Sequence, residues 1–261
     1  MQDVRSNGFY CAALDALGDA SIEFLVGGAF ALRTYTDIER NTRDLDLMIR
    51  PRDVDRVLAL FCDQGFHADY AFSHWLAKVY WGEYLIDIIF RAGNGLCEVD
   101  DAWFANARET EMFDRKVRIC PPEEIIWQKA YIMERERFDG ADVLHLLRSC
   151  AQEMDWQRLL ARFGDDWRVL LSHLVLFGFV YPGDRDLIPE EIARSLLDRA
   201  MTDRSEPQKE SPICQGTLLS RAQYLADVER WGFVDARING RASMTQRQLV
   251  EWTNAIARES R

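Results

Sequence analysis

The segment from Phe24 to Pro51, FLVGGAFALRTYTDIERNTRDLDLMIRP, restricts the fold more than any other part of the chain. Ile22 to Val26 is a short apolar run rich in branched residues that stops at Gly27-Gly28, the pattern of a buried strand entering a tight turn. Ala29 to Tyr35 resumes helical spacing. Asp44 to Ile49 then alternates charge and leucine and ends in Met-Ile, as a strand entering a core does. A strand, a diglycine turn, a helix and a second strand in so short a span demand a sheet with a helix laid against it.

The flanking sequence extends this picture. Gly8 to Leu17 sets Phe9, Ala12, Ala13 and Leu17 at helical intervals, and Pro51 suits the first turn of a helix that ends near Gly65. Trp75 to Trp81 and Tyr84 to Phe90 are apolar runs joined by Gly82-Glu83, a linkage that favours an antiparallel hairpin. Lys116 to Cys120 reads as one more strand, closed by Pro121-Pro122. Beyond the prolines the spacing predicts helices over Glu123 to Glu136, Ala141 to Cys150, Trp156 to Phe163 and Trp167 to Phe179, and another opening at Pro189. Two more are expected over Thr217 to Trp231 and Thr245 to Arg258, after a polar, proline-bearing loop at 202–215. The expected fold class is α+β: a small mixed sheet flanked by helices over 1–120, then a helical domain over 121–261.

Composition narrows the function. Against 32 basic residues stand 43 acidic ones, a net charge of −11, which argues against a surface that coats long nucleic acid. The most apolar run, Val169 to Tyr181, falls short of the roughly 20 residues a bilayer requires, so no membrane segment is expected. The opening residues show no cationic stretch leading into an apolar one, as a signal peptide would. The six cysteines are scattered without a Cys-x-x-Cys pair and the four histidines are dispersed, which points to reduced thiols, a cytoplasmic protein and no zinc site.

The chemistry lies in the carboxylates. In an alternating strand Asp44 and Asp46 share one face, roughly 6–7 Å apart, while Leu45 and Leu47 point to the other. Side-by-side carboxylates repel unless a cation sits between them or one keeps a proton. Mg²⁺ takes oxygen ligands and binds through one or two carboxylates together with substrate phosphates, which suits this pair. Asp87, inside the apolar strand YLIDIIF, is costly there unless something compensates its charge. If its strand lies beside that of Asp44, three carboxylates converge and could hold two divalent ions. Gly27 and Gly28 open backbone N–H groups to close approach, and the helix after them turns its positive end the same way. Arg33, Arg40, Thr42 and Arg43 lie near in sequence and could neutralise or hydrogen-bond a triphosphate.

Each part also has a plain structural reading: a simple turn, a solvated strand edge, an aspartate paired with a neighbouring base. Their order is what points to phosphoryl transfer. The strand, Gly27-Gly28, the short helix, Asp44-Leu45-Asp46 and the later strand with Asp87 resemble the nucleotidyltransferase superfamily that includes DNA polymerase beta. ERNTRDLDL is similar to the Arg-x-Thr-x-Asp-apolar-Asp pattern of small bacterial members, among them antibiotic-modifying enzymes and AbiEii-type toxins. That resemblance covers about Ser21 to Phe90. It implies that Asp44 and Asp46 bind both metals, Mg²⁺ or Mn²⁺, that Asp87 completes the site and assists the attacking hydroxyl, and that Gly27 and Gly28 cradle the phosphates. Ala29 departs from the small hydroxyl residue of many members, which removes one phosphate contact and leaves the backbone donors.

The expected reaction moves a nucleoside monophosphate from ATP or another NTP to an acceptor hydroxyl, with release of pyrophosphate. The acceptor is open: a small molecule, a tRNA end or a protein. A toxin acting on tRNA and a non-catalytic nucleotide-binding module of the same fold are the alternatives. Lys78, on the strand facing Asp87, either approaches a phosphate or pairs with that aspartate. Lys129 either projects towards the nucleotide or snorkels from a core face to nearby acids. Asp139 is expected to cap a helix and Asp142 to form an ion pair.

Overall fold

The computed structural model describes residues 4–40, 42, 44–202, 212–242 and 244–255. The chain divides into two compact units, Met1–Pro121 together with Ser243–Arg261, and Pro122–Ala242.

The first unit runs α1 (Val4–Asp19), β1 (Leu25–Val26), α2 (Gly28–Thr36), β2 (Asp44–Met48), a 3₁₀ turn at Pro51–Asp53, and α3 (Val54–Asp63). It continues with β3 (His67–Phe72), β4 (Leu76–Trp81), β5 (Tyr84–Ile89), α4 (Asp101–Ala105), β6 (Arg108–Met112) and β7 (Arg115–Ile119). These strands form a seven-stranded sheet in the order β3-β4-β5-β2-β1-β7-β6. β3, β4 and β5 make an antiparallel meander; β2 joins β5 in parallel, β1 runs antiparallel to β2 and parallel to β7, and β6 and β7 form a hairpin. The fold is a mixed sheet flanked by helices, the α+β class.

One face of the sheet is the core. Leu45, Leu47, Ala77, Val79, Ile86 and Ile88 are fully buried on it. Trp81, on the same side of β4 as Ala77 and Val79, stacks on Phe9 of α1 at 5.6 Å. Beyond the end of β2, the buried Arg50 guanidinium is held by Asp101 at 2.6 Å and Glu23 at 2.8 Å and lies over the Phe104 ring.

The five interior strands are those the sequence pattern points to; the two outer ones, β3 and β6, are absent from it. Both are edge strands with largely exposed side chains, HADYAF and RETEM, so neither carries an apolar alternation. Charge on an edge strand also discourages pairing with another chain.

The second unit contains α5 (Pro122–Lys129), α6 (Gly140–Cys150), α7 (Trp156–Phe163), α8 (Trp167–Val180), α9 (Glu190–Thr202), a parallel pair β8 (Ile213–Cys214) and β9 (Val234–Asp235), and α10 (Leu225–Glu229). Two expectations differ here. α5 stops at Lys129 instead of reaching Glu136, because the next residues bond elsewhere: Met133 N–H donates to the Leu219 carbonyl at 3.0 Å, and Arg221 grips the Glu134 carboxylate at 2.8 Å. Tertiary bonds override helix propensity here. The helix expected over Thr217 to Trp231 shrinks to α10, since Gln215–Leu218 forms a 3₁₀ turn in which the Thr217 hydroxyl donates to the Cys214 carbonyl. Most of the 202–215 loop lies outside the described residues.

The last helix, α11 (Gln246–Asn254), belongs to the first unit. Its Trp252 meets Phe72 edge-on at 4.8 Å and Trp75 at 5.2 Å, and Thr245 and Gln248 form a capping box at its start. Among the described residues no helix is long and apolar enough to cross a membrane. No disulfide joins the cysteines, four of which are buried.

Candidate active site

β1 is followed by Gly27, whose N–H donates to the Asp46 carbonyl at 2.9 Å, so the diglycine turn is laced to the acidic strand. Gly28 has φ +54°, a left-handed conformation that a side chain disfavours. A Cβ at Gly28 would land on the Asp46 carboxylate. At Gly27 a Cβ would meet the Met48 methyl at 2.5 Å. The two glycines therefore let the start of α2 approach the aspartate directly.

β2 buries Leu45 and Leu47 and leaves Asp44 and Asp46 half-buried on the opposite face. Asp46 is the direct register partner of Asp87 in the parallel pairing of β2 with β5. Partners across a ladder point to the same face, so the third carboxylate lies beside the other two. Asp87 is in turn the antiparallel partner of Lys78 on β4, whose ammonium donates to Oδ1 at 2.7 Å, with the two side chains 22% and 15% exposed. The ion pair sits on the acidic face, not in the opposite layer.

The electrostatics follow from this crowding. Burial raises the Asp87 carboxyl above the usual carboxylate range; Lys78 opposes the shift and the Asp44 charge adds to it. The Tyr10 hydroxyl is pushed up to about 12 by burial and then by the charges of Asp44 and Asp46. The Thr42 hydroxyl donates to the Asp44 carboxylate and also reaches its carbonyl at 3.3 Å. All the acids on this face offer oxygen donors, the kind that hard divalent ions accept. Among the described residues no three His, Cys, Asp or Glu side chains gather as a metal-holding group; Asp44 and Asp46 are the two that could hold such an ion, and Asp87 is engaged by Lys78.

The family model described as uncharacterised nucleotidyltransferase matches residues 14–168, more than half of the chain and the whole of this acidic face. The chain belongs to that family. It is an enzyme of nucleotidyl transfer. The antibiotic-resistance factor ANT(2'')-Ia is similar in fold at 18% identity over 66% of this chain and 98% of that one, with a TM-score of 0.45. The lincosamide antibiotic adenylyltransferase LnuA is similar at 17% identity over 56% and 98%, with a TM-score of 0.40. JHP933 from Helicobacter pylori is similar at 12% identity over 78% and 99%, also with a TM-score of 0.40. No curated protein matches the sequence.

Two of the other residues expected to meet the nucleotide hold carboxylate partners of their own. Arg33 is exposed on α2 and pairs with Glu39 at 2.6 Å; Arg40 is exposed beyond it, and Arg43 lies outside the described residues. Lys129 belongs to the second unit, where its ammonium is held by Asp139 at 2.7 Å and Asp142 at 2.8 Å. Asp142 is the ion-pair partner expected, whereas Asp139 corrects its expectation. It occupies the N-cap position of α6 without a side-chain cap bond, because Lys129 and Arg137 take its oxygens. Two residues coupled to the acidic face, one by charge and one by register, have no local signal. Tyr10 comes from a distant helix, and Asp69 shares the face only because β3 registers it against Lys78.

Proposed function

We propose that the acidic face transfers a nucleoside monophosphate from a nucleoside triphosphate, ATP by default, to the hydroxyl of a small-molecule acceptor. The acceptor oxygen bonds to the α-phosphorus, the bond between α-phosphorus and bridging oxygen breaks, and its electron pair leaves with pyrophosphate. The reading rests on one observation, the register that sets Asp87 directly beside Asp46 at the glycine turn.

Asp44 and Asp46 would hold Mg²⁺ or Mn²⁺, which when bound would offset charge on the transferred and departing phosphates. Asp87 takes or orients the acceptor proton. The N–H of Gly28 and the start of α2 receive phosphate oxygens, while the Gly27 N–H, already given to the Asp46 carbonyl, holds the turn against the acidic strand. Thr42 fixes the Asp44 carboxylate, and Arg33, Arg40 and Lys78 are the cations that meet the outer phosphates. Most of the acceleration comes from alignment and charge neutralisation. The net charge of −11 favours a small acceptor over a tRNA end. A reaction drawing on triphosphates places the enzyme in the cytoplasm.

The test is incubation with each labelled triphosphate, Mg²⁺ or Mn²⁺ and a cell extract, with the product read by mass. Labelled small-molecule product that disappears in Asp44→Asn supports the proposal. Label on tRNA would move it to the toxin reading, and no label with any extract would leave a nucleotide-binding module.

A further inference from the structure

The register of the sheet draws one row of residues across the acidic face. From the glycine turn outward it runs Gly27, Asp46, Asp87, Lys78 and Asp69, each opposite the next on neighbouring strands. Lys78 therefore stands between two aspartates and is bound to the inner one at 2.7 Å. An ammonium at that distance does for a buried carboxylate what a metal ion would do: it supplies positive charge to an oxygen donor removed from water. It also repels a divalent cation that approaches the same carboxylate. On its outer side Asp69 offers a second, exposed seat in the same row, where the His67 ring lies 3.6 Å from the carboxylate.

We infer that Lys78 is a tethered counter-ion for Asp87, displaced when a divalent cation arrives with its triphosphate, and that the released ammonium then meets a phosphate. The inference rests on the reading of Asp44 and Asp46 as cation ligands and adds an order of loading. Lys78 keeps the free cation bound weakly, and the triphosphate brings both the cation and a new partner for the lysine. A buried carboxylate is thereby never left without positive charge, before or after loading.

The experiment titrates the full chain with Mn²⁺ alone, followed by the resonance signal of free Mn²⁺, and then with Mn²⁺ and a non-hydrolysable triphosphate. Lys78→Met is expected to bind Mn²⁺ alone about tenfold more tightly than the natural protein, because the competing charge is gone. The same variant is expected to bind the Mn²⁺–triphosphate about fivefold more weakly, because a phosphate contact is lost. A merely structural role for Lys78 would weaken both. Unchanged or weaker Mn²⁺ binding in Lys78→Met overturns the inference, as does a gain that survives in the Lys78→Met/Asp87→Asn double variant. Should Lys78→Met fail to fold, Lys78→Arg serves: it keeps the counter-charge, so Mn²⁺ affinity must stay level or fall, and a rise overturns the inference. Loss of Mn²⁺ binding in Asp46→Asn without any Lys78 effect would sink the counter-ion role alone. Mn²⁺ binding that persists in Asp44→Asn/Asp46→Asn would instead sink the cation reading beneath it.

Discussion

Each unit holds a lysine–aspartate pair of 2.7 Å, Lys78 with Asp87 in the sheet and Lys129 with Asp139 among the helices, and the two carboxyls shift in opposite directions. Burial pushes both up. At Asp139 the Arg137 guanidinium joins Lys129 and together they overrule burial, bringing the carboxyl down to about 2. At Asp87 burial wins over Lys78, and the neighbouring Asp44 charge adds to it. A lysine at contact distance therefore does not by itself settle a buried carboxylate; the surrounding charges decide. The helical pair is overcompensated and serves the fold. The sheet pair leaves a buried carboxylate undercompensated, first by its loss of water and then by the Asp44 charge, which costs stability where it sits and suits a site that takes up positive charge from outside.

The largest effect should come from the sheet. Asp44→Asn and Asp46→Asn preserve side-chain size, and each is expected to lower nucleotidyl transfer by on the order of 10²–10³-fold. Their melting temperatures should stay level or rise, since a like-charge contact is relieved. Substantial transfer by either variant would place the chemistry elsewhere and dissolve the contrast between the units.

Stability gives the second test. Because the Asp139 carboxyl lies below its unfolded value, its contribution is fully present above about pH 4 and is lost as pH falls through its folded value of about 2. Asp139→Asn should therefore cost about 2 kcal/mol at neutral pH and flatten the acid limb of the stability curve. Asp87 has the opposite sign: a raised carboxyl is a charge the fold holds unwillingly at neutral pH. Asp87→Asn should change the neutral stability by less than about 1 kcal/mol, in either direction, while transfer falls. Urea melts of both variants from pH 2 to pH 8 check this. Equal losses at neutral pH would mean that both pairs are simply structural.

How much of this is legible in the sequence depends on burial. The interior strands announce themselves because packing on one or both faces writes apolar residues into them: DLDLM, LAKVYW and YLIDII are readable alone. The edges β3 and β6 carry no such pattern, since what holds them is backbone pairing to a neighbour already formed. The carboxylates follow the same logic. Asp44 and Asp46 are two apart on one strand, so a period of two suffices to put them together. Lys78 opposite Asp87 is also readable, because the two-residue turn Gly82-Glu83 fixes that hairpin's register. The setting of Asp87 beside Asp46 depends on register between strands distant in sequence, which no local spacing encodes, and Asp69 joins the row through an edge strand that carries no pattern. Lys129 shows the limit from the other side. Its helical neighbours suggest a cleft-facing lysine as readily as a buried ion pair, and only the turn after α5, fixed by bonds to Leu219 and Arg221, brings Asp139 and Asp142 to it.

The smaller effects refine the sheet side of the comparison. Gly28→Ala must carry a side chain at φ +54° against the Asp46 carboxylate, and a stability loss of about 1–2 kcal/mol is expected from the backbone conformation alone. Triphosphate binding should weaken as well, because the displaced carboxylate and the turn move together. Gly27→Ala should cost less, since the Met48 methyl it meets ends a flexible side chain that can turn aside. The smallest change is Thr42→Val, which removes a hydroxyl donated to the Asp44 carboxylate while keeping the shape of the side chain. One such bond contributes about 1 kcal/mol, so transfer should fall roughly fivefold. Thr42→Ser restores the donor and should restore the rate. A full rate in Thr42→Val would show that Asp44 is held by its strand alone, and an unrescued loss in Thr42→Ser would assign the effect to the methyl group's packing instead of the hydroxyl.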